Sequence, residues 1–191
     1  MTARPEPERP ESGWTVADYM ELQPEDHRHE LLEGEFVATP SPTFEHQSIL
    51  SELVWQITTH VKENDLGTCL QAPCDVVLSD ETVLQPDFLF IASDRVDGLR
   101  EGHALAGAPD LVVEVLSPET ARRDRTEKRE LYAAAGVPWM VVADPEERTA
   151  EVFELADDGR YSLDTAAGGD ERLAIGRFPE LEVDLDDVWV D

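Results

Sequence analysis

A chain of 191 residues is long enough to bury a full core, and with 41% hydrophobic residues it is not globally disordered. No apolar run approaches the roughly 20 residues that span a bilayer, so no membrane partner is expected; two cysteines in no zinc or redox pattern make a cytoplasmic location the default. The formal net charge of −28 excludes a general nucleic-acid coat protein, which would be basic.

Residues 1–12 hold three prolines and three glutamates but no apolar segment, which predicts a flexible N-terminal tail rather than a secretory signal. With no linker or repeat after it, residues 13–191 read as a single domain. Trp14 to Leu22 predicts a short helix, with Thr15 as N-cap and Pro24 closing it. Glu30 to Val37 predicts a hairpin turning at Glu33-Gly34. From Phe44 to Val61, Ile49, Leu50, Leu53, Val54, Ile57 and Val61 recur at helical spacing. His46 falls on that apolar side, where a buried, hydrogen-bonded histidine is the commoner reading.

Three strands are expected next, over Leu70–Leu78, Leu84–Ala92 and Asp110–Leu116, with residues 93–108 as an exposed loop. Ser117-Pro118-Glu119-Thr120 has the residues of a helix start, Ser117 capping and Pro118 at the first position, and Gly136 is the expected C-cap. Val137 to Ala143 then predicts a strand parallel to the third, because a helix of crossover length joins them. Glu151–Leu155, Tyr161–Leu163 and Arg172–Ile175 predict smaller antiparallel strands. The fold class is therefore α/β (α+β), a central mixed β-sheet flanked by helices. Cys69 and Cys74 match no zinc or redox spacing, so reduced thiols are expected.

Chemistry enters with Glu114, which interrupts the apolar run Leu111-Val112-Val113-Glu114-Val115-Leu116. A buried ionised carboxylate costs several kcal/mol unless it is paired or binds a metal. Asp87, directly after Pro86, opens another apolar run, Phe88 to Ala92. If the two strands are neighbours, the acids converge at one end of the sheet, and two hard oxygen ligands suit Mg²⁺ (or Mn²⁺). Asp87 alone is equally readable as a turn cap. On the following helix Asp124, Lys128 and Tyr132 are spaced i, i+4, i+8. That stripe is either a solvated salt bridge or a lysine that assists an attacking water. Arg122, Arg123, Arg125 and Arg129 crowd around it as candidate phosphate-binding groups.

The segments PDFLFIA, APDLVVEVLSPET, DRTEKRELYAAAGV and PWMVVADP, together with HELLEGEFVATPSP, resemble the Uma-type family of restriction-endonuclease-like proteins within the PD-(D/E)XK nuclease superfamily. The resemblance implies a restriction-endonuclease-like core that cleaves phosphodiester bonds with Mg²⁺, DNA being the foremost substrate and self-association left open. It makes Asp87 and Glu114 metal ligands and, with Lys128, catalytic residues. The superfamily's lysine would fall at Leu116, which cannot serve, and Lys128 matches a displaced lysine on the next helix. Glu30 and His46 match further family positions and, with Asp124 and Tyr132, form a secondary set. The net charge keeps open a second class of function, a non-catalytic interaction protein on the same fold. A hydrolase of smaller phosphoesters is disfavoured by the lack of a phosphate-cradling glycine loop.

Overall fold

The computed structural model of the protein describes residues 10, 13–22, 28–102 and 104–190. Apart from Pro10, the tail expected over residues 1–12 lies outside the described residues, as does Pro24. Helix α1 (Val16–Leu22) starts at a reciprocal cap: the Thr15 hydroxyl accepts the Asp18 N–H at 3.3 Å and the Asp18 carboxylate accepts the Thr15 N–H at 2.9 Å. Strands β1 (Arg28–Leu32) and β2 (Glu35–Thr39) form the expected hairpin. Its turn holds Glu33 and Gly34 at φ of 47° and 77°, the left-handed pair that a two-residue hairpin turn needs. Helix α2 (Phe44–Glu63) is capped by the Thr43 hydroxyl and buries the apolar residues that its periodicity marked.

Two expected strands are each divided. β3 (Gly67–Gln71) and β4 (Val76–Ser79) flank a turn at Pro73, and β5 (Thr82–Leu84) and β6 (Phe88–Ala92) flank Gln85-Pro86-Asp87. Pro86 has no N–H to give to a ladder, and at this break the chain leaves one sheet and joins another. The expected loop 93–108 contains helix α3 (Val96–Leu99) and strands β7 (Arg100–Glu101) and β8 (Ala104–Ala106). β9 (Leu111–Val115) follows. The helix after it begins later than its sequence suggests: Ser117 to Thr120 make a turn, and Ser117 Oγ meets Thr120 Oγ1 at 2.9 Å rather than capping. Helix α4 (Ala121–Arg123), a π-helical turn (Asp124–Lys128) and helix α5 (Arg129–Ala135) then run to Gly136, whose φ of 80° and N–H to the Tyr132 and Ala133 carbonyls make the expected C-cap. β10 (Trp139–Asp144), β11 (Thr149–Leu155), β12 (Tyr161–Gly168), β13 (Arg172–Ile175) and β14 (Phe178–Asp184) complete the chain, β14 having no counterpart in the sequence reading.

The expected mixed sheet with flanking helices is present, but as two six-stranded sheets, ordered β2-β1-β5-β4-β8-β7 and β12-β11-β10-β9-β6-β3, with β13–β14 as a separate pair. β9 and β10 are parallel, as the crossover requires. One face of the second sheet, through Phe88, Phe90, Val113, Val115 and Val141, packs on α2 and the β13–β14 pair. Its other face, through Leu89, Ile91, Val112, Leu116, Met140 and Val142, packs on Tyr132 of α5 and on Val76, Leu84 and Leu105 of the first sheet. Alternation along β9 puts Glu114 with Val112 and Leu116, between the sheets. The Gln56 amide on α2 gives a hydrogen bond to the Asp184 carbonyl at 3.0 Å and accepts its N–H at 2.8 Å, tying β14 to that helix.

Candidate active site

β6 and β9 are antiparallel neighbours with Phe88 opposite Val113. Continuing that register by one residue sets Asp87 opposite Glu114, and both acids line one pocket together with His46, Val115, Arg123, Asp124 and Lys128. Asp87 owes its place to the Gln85-Pro86-Asp87 crossing between sheets. Its Oδ2 accepts the Val115 N–H at 2.9 Å and lies 3.1 Å from His46 Nε2. Among the described residues no hydrogen bond engages its Oδ1. His46 is thus buried and hydrogen-bonded, and its partner is a candidate site acid; its Nδ1 is buried without a partner among the described residues.

Glu114 is 2% exposed and meets the helix above it. Its Oε1 accepts the Tyr132 hydroxyl at 2.7 Å and the Lys128 ammonium at 3.2 Å, with Oε2 at 3.4 Å from the same ammonium. Lys128 Nζ also lies 2.9 Å from Glu30 Oε1 and 3.6 Å from Asp124 Oδ1. The solvated salt-bridge alternative for Asp124 and Lys128 fails, since they are 3% and 4% exposed. Local geometry explains the alignment. Four α-helical residues overshoot a full turn by about 40°, whereas the wider π turn undershoots it. With one step of each kind, Asp124, Lys128 and Tyr132 keep to one line. At Leu116, the strand position of the superfamily lysine, the side chain is buried in the apolar layer.

Burial pushes the Glu114 carboxyl well above the usual carboxylate range; Lys128 opposes this, and Asp87, Asp124 and Glu30 add to it. Asp124 is raised as well, by burial against the pull of Lys128. Burial alone would lower Lys128, but Glu114, Glu30, Asp124 and Asp87 outweigh it and hold the ammonium charged. Burial, then Glu114, keeps Tyr132 a neutral phenol. One ammonium among four carboxylates leaves negative charge uncompensated between the sheets, and Asp124 Oδ1 is buried with no hydrogen bond among the described residues. Hard oxygen donors with surplus negative charge fit a hard divalent cation. No group of three or more His, Cys, Asp or Glu residues suited to holding a metal occurs among the described residues. Asp87 and Glu114 are the pair that could hold one, with waters completing the shell, an arrangement Mg²⁺ commonly adopts.

The four arginines do not gather. Arg123 lines the pocket with its Nε buried and without a partner among the described residues. Arg125 is held by Asp144 at 2.6 Å and Glu151 at 2.9 Å. Arg129 stacks 4.8 Å over the Phe153 ring, and Arg122 is exposed. The sequence reading overlooked other lining groups, Gln85, Ser117, Thr120 and the segment 39–43. Of these only Gln85 had a visible signal, its place directly before the Pro86-Asp87 pair.

No helix among the described residues is long and apolar enough to cross a membrane. Among curated proteins nothing matches the chain. A solved structure, described as a "putative nuclease belonging to DUF820 from Anabaena variabilis", superposes with a TM-score of 0.75 at 22% identity, covering 92% of this chain and 97% of that one. The restriction-endonuclease-like fold is the one the sequence implied. Residues 16–186 match the Uma2 family, described as "Putative restriction endonuclease", and the chain belongs to that family.

Proposed function

We propose that the protein is a divalent-metal-dependent endonuclease that hydrolyses phosphodiester bonds, with DNA as the substrate. The observation that carries this reading is the facing of Asp87 and Glu114 across β6 and β9, in one pocket with Lys128. Asp87 and Glu114 would hold Mg²⁺ or Mn²⁺. When bound, such an ion polarises a phosphoryl oxygen and lowers the pKa of a water. His46 and the Val115 N–H orient Asp87 through its Oδ2. The Lys128 ammonium offsets negative charge that develops on the phosphate as water attacks phosphorus and the P–O bond to the leaving group breaks. Arg123, which lines the pocket and whose Nε has no partner among the described residues, would meet a non-bridging phosphate oxygen.

Incubation of the protein with DNA and RNA in Mg²⁺ or Mn²⁺ tests the reading, with strand cleavage as the readout. Glu114→Gln and Lys128→Ala should each reduce cleavage by about 100-fold or more. Glu114→Gln alone should also weaken metal binding measured by calorimetry. No cleavage by the parent with either ion would favour the second reading, a non-catalytic interaction protein, which the net charge of −28 supports.

A further inference from the structure

Lys128 lies closer to Glu30 than to either acid on its own side of the pocket: 2.9 Å, against 3.2 Å to Glu114 and 3.6 Å to Asp124. Glu30 belongs to β1 in the first sheet, whereas Glu114 belongs to the second. Glu30 is wholly buried, and its Oε1 also accepts the Gln85 N–H at 2.8 Å, while the Thr39 hydroxyl reaches Oε2 at 3.5 Å. Gln85 is in turn fixed at the crossing between sheets, where its side chain donates to Asp75 at 2.7 Å. The carboxylate is therefore anchored by neighbours other than the lysine and outside the Asp87–Glu114 pair. A lysine side chain has several rotatable bonds and settles only where its ammonium protons are taken up.

We propose that Glu30 is a positioning residue that holds the Lys128 ammonium from the first sheet, so that the lysine stands beside Glu114 without depending on Glu114 alone. The bearing on catalysis rests on the nuclease reading above; the positioning itself does not. In a conventional arrangement the lysine shares a strand with the acid and the strand sets their separation. Here Leu116 fills that place, the lysine comes from a π turn, and a third element fixes it. Without Glu30, Lys128 would fall back on Glu114 and compete with a cation for that carboxylate.

Two measurements test this. In metal-free protein carrying isotope-labelled lysine nitrogen, the Lys128 ammonium is assigned as the signal lost in Lys128→Met, and its proton exchange is measured. Glu30→Gln should speed that exchange by about 10-fold with the backbone amide pattern unchanged; unaltered exchange overturns the proposal. Should Glu30→Gln not fold, Glu30→Asp, which keeps the charge but shortens the reach, carries the same expectation. Secondly, Mn²⁺ is titrated into the parent, Glu30→Gln, Lys128→Met and the double variant. Glu30→Gln should weaken binding when Lys128 is present and have no effect in the Lys128→Met background. Equal weakening in both backgrounds would make Glu30 act on the ion directly and overturn the proposal. A parent that binds no Mn²⁺ would sink the nuclease reading, while the exchange measurement would still decide the role of Glu30.

Discussion

Glu114 shows how a single acid can be kept in an apolar layer. Tyr132 and Lys128 satisfy its oxygens, yet burial and three neighbouring carboxylates leave its carboxyl raised. The linkage has a definite sign. With the folded value above the unfolded one, near 4.3 for a free glutamate, the metal-free native state keeps a proton that the unfolded chain has released. The contribution to stability is then full below about pH 4.3 and is lost as pH rises through the folded value. Metal-free parent protein should lose melting temperature above that pH, and Glu114→Gln should lose less over the same range. Parallel curves for the two proteins would mean that Glu114 is ionised throughout.

At the scale of elements, the π turn sorts the basic residues. It turns Lys128 inward and leaves Arg125 to bridge Asp144 of β10 and Glu151 of β11. Arg125→Ala should thus cost about 1 kcal/mol or less, since the pair is partly exposed, and should leave KM for nucleic acid unchanged. Arg123→Ala should raise KM with little loss of stability. Urea unfolding and steady-state cleavage separate the two, and a KM effect from Arg125→Ala would return that arginine to the substrate. The elements that the sequence made legible are those with local signals. The α2 periodicity, the Glu33-Gly34 turn and the crossover from β9 to β10 all depend on residues near one another in the chain. Glu114 stood out as a charge inside an apolar run and Asp87 as the acid that opens one, whereas Lys128 was marked by its spacing from Asp124 and Tyr132 and by the family resemblance. The division into two sheets was not legible: Gln85-Pro86-Asp87 interrupts the apolar Leu84–Ala92 run, but nothing local says that the chain changes sheet there. Nor was the role of Glu30: it looks like any acid in a hairpin, and its partner is brought to it by tertiary packing.

For the molecule as a whole, the charge of −28 is a self-repulsion spread over the surface, and salt should relieve it. Melting temperature should rise with KCl in the parent and in Glu114→Ala alike. At fixed ionic strength, Mg²⁺ should add a further rise in the parent only; an equal rise in both would reduce the ion to a screening role. The Gln85-Pro86-Asp87 crossing has a mechanical consequence. Its first residue grips Glu30 through its N–H, and its last faces Glu114. The two sheets are thus joined by a strut three residues long at the point where they share Lys128. A ligand wedged between the sheets would not spread them like a book opening on a loose spine. The strain would fall first on the lysine's grip on its two acids, so the pocket would register the load before the rest of the fold gave way.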